Sequence, residues 1–363
     1  MALFHRKRPT RPQPVAFGQA RRKPPKKNHS TLYFLLLTAL VILGVMAYNY
    51  RADIKMHIMH YKPQPVKTVT IANTNLNLQE INTPELTSYD VDKILSFHYR
   101  DEVFYLALRS QDGESTHIDA FDVKNGSLFA HRSFGEDGVF TIHEKMILSV
   151  NVGSKGEVYY VRNGIHTLKD GNDIISLKGS TTATRVALLP GDQQAYLYGN
   201  DNFTLADIHD GSFDNNHPAF LHNRAKPFAG GLTLVRIAPD GTVFGGGRIK
   251  TNDFNIVASF SPQGKQLQTY GSYIQTDKDS IYNLVDLAVL DHYVVVIDGF
   301  TLKIWNRDGH YLGAFNSSKL LDNNLNCAKL TAMDSKTLGI LAYVRNPQTK
   351  LIDIKLFTLQ FPN

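Results

Sequence analysis

Residues Leu302 to Phe315 read LKIWNRDGHYLGAF: an apolar strand, a turn ending in Asp308-Gly309, and a second strand that closes on an aromatic. A tight hairpin needs a residue at positive φ, where a Cβ clashes, so glycine belongs there and the Asp before it tolerates the turn. The pattern recurs in IDAFDVKNGSLFAHRSF (118–134), VYYVRNGIHTL (158–168), TLADIHDGSF (204–213) and VASFSPQGKQLQTYG (257–271). The turn glycines Gly126, Gly164, Gly211, Gly264 and Gly309 are spaced by 38, 47, 53 and 45 residues. A four-stranded antiparallel unit repeating at about 40 to 50 residues predicts propeller blades.

The strands before each hairpin complete the units. Leu284–Leu290 (LVDLAVL) and Tyr293–Ile297 (YVVVI) precede the fifth hairpin, and Leu232–Ala238 (LTLVRIA) and Thr242–Phe244 precede the fourth. YVVVI is apolar on both faces, as expected of a strand sandwiched between neighbouring blades. A sixth set runs through Lys329–Met333, Thr337–Tyr343 and Leu351–Leu359, where it lacks an outer strand. Val66–Ala72 (VKTVTIA) is expected to supply that strand, closing the ring and removing an exposed edge. The expected fold is an all-β, six-bladed β-propeller over residues 66–363, preceded by a single N-terminal transmembrane helix.

Three stretches carry a resemblance. Ala238-Pro239-Asp240-Gly241-Thr242-Val243-Phe244, Phe260 to Leu267 (FSPQGKQL), and Val296-Ile297-Asp298 followed by Ile304-Trp305-Asn306-Arg307-Asp308-Gly309 resemble the repeats of NHL-type six-bladed propellers. Those run from an apolar strand through a Pro-Asp-Gly turn to a strand ending in Asp and an aromatic-x-x-x-Gly hairpin. The match is reasonable in blades four and five and degenerate in blades one to three and six. It implies architecture over residues 66–363 and little about function, since such propellers include protein-binding and RNA-binding modules beside lactonases and lyases.

Outside the repeats, Lys27 to Arg51 encloses no charged residue, and Leu32–Tyr48 (LYFLLLTALVILGVMAY) is almost wholly apolar. As a helix, residues 30–50 rise roughly 31 Å, enough to cross the hydrocarbon core of a bilayer. Residues 1–30 hold nine Lys or Arg and no acid, which keeps the N-terminus cytoplasmic. Val45-Met46-Ala47 could pass for a signal-peptide cleavage site, but the leading segment of 30 residues and the length of the apolar run fit an uncleaved signal anchor better. The organisation expected is a disordered basic, Pro-rich tail (1–30), a transmembrane signal anchor (31–50), a stalk (51–65) and an extracytoplasmic propeller, periplasmic or extracellular.

The net charge of +6 divides unevenly: residues 1–30 carry +9 and residues 51–67 carry +3, leaving −6 on the remainder. The basic flanks point to anionic lipid headgroups, and the acidic domain disfavours nucleic acid. Cys327 is the only cysteine, so no intramolecular disulfide forms, and its place in LNCAKL reads as a buried thiol in a strand.

No phosphate loop, nucleophile elbow or His-based metal motif is present, so no catalytic residue, metal ligand or cofactor is assigned. His98, His117, His131, His143, His166, His209 and His310 are expected at surfaces or edges. Gly245-Gly246-Gly247 reads as close packing or a bend. One candidate binding patch remains. His217, His222, Arg224 and Lys226 lie on the connection from blade three to blade four, and Arg248 and Lys250 on the turn after the second strand of blade four. These connections emerge on one propeller face and favour an anionic ligand or an acidic partner. The functional expectation is a protein-binding or scaffolding module for an envelope or extracellular partner. The alternative is a membrane-tethered hydrolase or lyase with a metal on the central axis.

Overall fold

The computed structural model describes residues 29–49 and 64–362, apart from 84–85, 87, 125, 136–137, 146, 170–171, 176–181, 200–201, 214–226, 250–253 and 322–323. The chain divides into two units, residues 1–60 and 61–363. In the first, α1 (His29–Asn49) is a 21-residue helix. Its described side chains, residues 33–46, are all exposed and mostly apolar. Among the described residues no helix is long and apolar enough to cross a membrane.

The second unit is a six-bladed β-propeller. A hairpin of β1 (Lys67–Ile71) and β2 (Thr74–Ile81) opens the chain of strands. Blade one follows with β3 (Val91–Arg100), β4 (Val103–Ser110), β5 (Thr116–Lys124), β6 (Ser127–Ala130) and β7 (Val139–Ile142), the last two both pairing β5. Blade two is β8 (Val150–Val152), β9 (Val158–Val161), β10 (Ile165–Lys169) and β11 (Asn172–Ile175), and blade three is β12 (Arg185–Leu188), β13 (Gln194–Gly199) and β14 (Asn202–Asp207). Blade four holds β15 (Leu232–Ile237), β16 (Val243–Arg248), β17 (Asn255–Phe260) and β18 (Gln266–Tyr270). Blade five holds β19 (Leu284–Val289), β20 (Tyr293–Asp298), β21 (Thr301–Asn306) and β22 (Tyr311–Asn316), followed by the single turn α2 (Ser317–Leu320). Blade six is β23 (Asn326–Ala332), β24 (Thr337–Arg345) and β25 (Ile352–Gln360), and all its pairings are antiparallel.

Ring closure differs from the sequence expectation. The strand paired to β25 is β2, in register from Asn77 opposite Gln360 to Ile81 opposite Leu356, and β1 lies outside it as a fifth strand. The reason is the turn between them: Ala72 and Asn73 both take positive φ, 44° and 65°, so a tight hairpin forms without a glycine. In blade two, VYYVRNGIHTL joins the second and third strands rather than the third and fourth, and the positive-φ residue of its turn is Asn163.

The blades are held by six apolar clusters, one in each gap between neighbours. β20 shows how: Val294 and Val296 face the gap to blade four, while Val295 and Ile297 face the gap to blade six. The two-residue strand period thus buries both faces, as the unbroken apolar run requires. The glycine run in β16 is close packing, as expected. A Cβ on Gly246 would lie 2.6 Å from Leu284 of blade five, and one on Gly247 would lie 2.3 Å from the Gly231 carbonyl oxygen.

Candidate functional site

The innermost strands, β3, β8, β12, β15, β19 and β23, surround a central channel. One half is a cavity of about 550 Å³ and the other a cavity of about 480 Å³; His98, Asn151 and Arg236 line both and form the waist. Side chains reach the channel because the inner strands are bulged. β15, β19 and β23 each skip one residue, at Thr233, Val285 and Ala328, and β3 skips two, at Asp92 and Leu95. A bulge bends its strand and re-aims the residues beside it. The residues just after the skips include Lys93, Ser96, Asp286 and Lys329.

Around the axis, side chains of one blade bond the next. Ser96 Oγ accepts from the Val150 N–H at 2.9 Å, and the Asn151 amide donates to the Val186 carbonyl at 3.4 Å. Tyr198 Oη accepts from Val235 N–H at 3.3 Å, and Thr331 Oγ1 accepts from Tyr99 N–H at 3.1 Å. Asp286 closes the ring. Its carboxylate accepts from Arg236 Nη2 at 2.5 Å, from its neighbour Leu287 N–H at 2.9 Å and from Leu330 N–H at 3.0 Å, linking blades four, five and six.

The two halves differ in charge. Lys93, Arg185, Arg236, Lys329 and Arg345 line the larger cavity, against Asp92 alone. Asp92 pairs with Arg109, and Arg345 donates to the Lys350, Val91 and Asp92 carbonyl oxygens. The side chains of Lys93, Arg185 and Lys329 have neither a hydrogen bond nor an ion pair among the described residues. Burial pushes the Lys329 ammonium below the ordinary lysine range; Asp286 opposes this, while Arg236, Lys93 and Arg185 add to it. The smaller cavity carries Asp192, Asp291 and Asp334 beside Arg100 and Arg236.

His98, expected at a surface, is buried at the waist and bonds the Val150 carbonyl at 2.8 Å. Burial first, then the nearby Arg100 and Arg236, lower its pKa to about 3, so the imidazole is neutral and donates from Nε2. His166 is also buried, stacked on Tyr160. Cys327 lies in β23 as expected, its thiol pushed up to about 12 by burial.

Of the sequence-derived patch, His217, His222, Arg224, Lys226 and Lys250 lie outside the described residues. Arg248 is exposed at the end of β16. Its backbone bonds Gly230 and Gly231, so it sits at the same end of blade four as Thr233 and Leu234 of the basic cavity. At that mouth Phe300 is 61% exposed, on a turn fixed by Asp298, which accepts from the Tyr282 and Asn283 N–H groups and pairs with Lys303 at 2.9 Å.

The basic half of the axis does not suit a divalent metal. Its ammonium and guanidinium groups repel a cation, and the carboxylate buried among them, Asp286, is already bonded to three donors. Among the described residues no three His, Cys, Asp or Glu are grouped to hold an ion.

No family model and no curated protein matches this chain. Among solved structures, a chain of Kuenenia stuttgartiensis hydrazine synthase aligns with 10% identity and a TM-score of 0.44, over 75% of this chain and 97% of that one. A likeness at that level carries no argument about activity.

Proposed function

We propose that this chain is a single-pass membrane protein whose extracytoplasmic propeller is a binding module for an acidic partner in the cell envelope or extracellular space. The observation that carries the reading is the basic channel mouth in a domain of net negative charge, on the face that also bears Arg248. Charge of one sign gathered in a low-dielectric recess attracts a partner of the other sign more strongly than the same charges spread over a surface. The exposed Phe300 beside it gives a docking partner apolar area to cover. A metal-dependent hydrolase or lyase is not favoured, because the basic half of the axis repels a cation and no three His, Cys, Asp or Glu are grouped to hold one among the described residues. The turns of blades four and five support NHL-type kinship as a matter of fold.

The anchor rests on the charge-free run from residue 28 to residue 50 and on the 21 residues of α1, with its exposed Phe34, Leu35, Leu36 and Leu37. Such a surface is costly in water and suited to lipid. Protease added to intact cells should remove the propeller and spare an N-terminal tag in the membrane fraction. Recovery of a soluble protein beginning near Tyr48 would refute the anchor. For the partner, crosslinking in native membranes should capture a protein at low salt, and replacing Arg224, Lys226, Arg248 and Lys250 with Ala should reduce that capture strongly. An unchanged partner list in the quadruple variant would refute this docking face.

A further inference from the structure

We propose that the basic half of the axial channel is a site for a small free oxyanion of two to three negative charges, an organic phosphate or a polycarboxylate, held by Lys329, Lys93 and Arg185. This deepens the binding-module reading and rests on it, but it concerns a ligand inside the channel rather than a protein on its rim.

The argument begins with which charges are already used. Arg236 is neutralised by Asp286, Asp92 by Arg109, and the Arg345 guanidinium is bonded to backbone carbonyls. Three cations remain without a partner among the described residues, each from a different blade: Lys93 on β3, Arg185 on β12 and Lys329 on β23. All line one cavity of about 550 Å³, and both Lys93 and Arg185 are close enough to act on the Lys329 ammonium. Lys93 is exposed at the rim, while Arg185 and Lys329 are half-buried; gathering like charges this closely is unfavourable unless something of opposite charge joins them, since mutual repulsion and the partial desolvation of Arg185 and Lys329 oppose it.

The surroundings select oxygen as the ligand atom. Ammonium and guanidinium groups present only N–H donors, which suit carboxylate and phosphate oxygens in charge-assisted bonds. Ser149 Oγ, buried in the same wall, has no hydrogen-bond partner among the described residues and can add a further donor. A ligand of two to three charges balances the three free cations, and a monoanion leaves a surplus. The ligand enters from the face bearing Phe300 and Arg248, because Asp192, Asp291 and Asp334 at the other mouth repel it.

The test is calorimetric titration of the full-length chain in neutral detergent with citrate, inorganic phosphate and acetate, each at constant ionic strength. The expected result is saturable binding of one citrate per chain, weaker phosphate and no measurable acetate. Lys329→Met and Arg185→Gln should each weaken citrate at least tenfold. Arg185 and Lys329 are both half-buried, and neither side chain has a bond to lose among the described residues, so both variants should fold. Absence of saturable citrate and phosphate heat overturns the site, as does wild-type affinity in Arg185→Gln. Saturating citrate should leave the crosslinked partner in place; release of the partner would assign the channel to one of its acidic groups and overturn the free-ligand proposal. Loss of citrate binding with partner capture intact removes only the channel site. Unchanged capture in the loop quadruple variant, with citrate still bound, removes only the docking face.

Discussion

Replacing Asp286 should be the most damaging single change at the axis. Its side chain is 0% exposed, and it serves three donors on three blades. In Asp286→Ala the Leu287 and Leu330 N–H groups lose their acceptor, at about 1–3 kcal/mol for each that stays dry. Arg236 loses its counter-charge beside Lys329, and breaking a buried ion pair from one side costs about 3–5 kcal/mol. Arg236 is 28% exposed and water can solvate part of it, so these contributions are not summed at full value. We expect a total loss of about 3–5 kcal/mol for Ala and roughly half of that for Asn, which keeps an acceptor but not the charge. Trp305, the only tryptophan and fully buried in blade five, reports unfolding by its fluorescence. Urea unfolding followed by Trp305 and by far-ultraviolet circular dichroism gives the stability where the two transitions coincide. A loss below about 1 kcal/mol for Asp286→Ala would refute the inter-blade clamp, because that is the size of one ordinary hydrogen bond.

Three further outcomes are expected. A chain lacking residues 1–71 loses only the buried Ile71 of β1 and should melt modestly below the full-length chain, whereas removal through Ile81 should melt far lower, because β2 carries the buried Leu76, Leu78 and Ile81, each worth about 1.5–3 kcal/mol; equal melting of the two would show that β2 does not close the ring. Lys329→Met should raise the melting temperature at pH 7 without added anion. The folded-state pKa of Lys329 is depressed, so its contribution to stability is present above the unfolded pKa near 10.5 and lost as pH falls through the folded one. The gain should therefore vanish above about pH 10.5, and an equal gain at both pH values would remove the electrostatic cause. Gly247→Ala should destabilise by about 1–3 kcal/mol, as overpacking does, because its Cβ meets a backbone oxygen that cannot swing aside; an unchanged urea midpoint would show that β16 yields to it.

Blade number and most hairpins were legible because the features that set them are local. Asp308-Gly309 and Pro239-Asp240-Gly241 announce turns within a few residues, and YVVVI announces a strand buried on both faces. The closing hairpin was missed for an equally local reason: Ala72-Asn73 turns at positive φ without the glycine that marks the others. The turn at Asp101-Glu102 between β3 and β4 does the same. The axial cations were out of reach of any spacing rule. Lys93, Arg185, Arg236 and Lys329 come from four blades and meet only when the inner strands are superposed and their bulges counted. One trace was present: Arg236 in LTLVRIA, Asp286 in LVDLAV and Lys329 in NCAKL each set a charge inside an apolar strand, where a charge needs a reason.

The acidic character of the domain and the basic character of its axis do not conflict. At physiological ionic strength the Debye length is about 8 Å, so the −6 spread over the residues after 67 is largely invisible to an ion at the channel mouth. The charges that act there are those lining the cavity, Lys93, Arg185, Arg236, Lys329 and Arg345 against Asp92, and they are predominantly basic. The same screening treats the two modes of recognition differently. A partner held by exposed groups such as Arg248 makes its contacts through water and salt, so its affinity falls steeply with ionic strength. An anion on Lys329 sits in a recess of about 550 Å³ rather than on an open surface, and its attraction is screened less. Salt dependence therefore separates the rim from the channel without any mutation. Steep loss of partner capture alongside shallow loss of citrate follows from two sites, whereas a common slope would mean that both bind the same exposed charges.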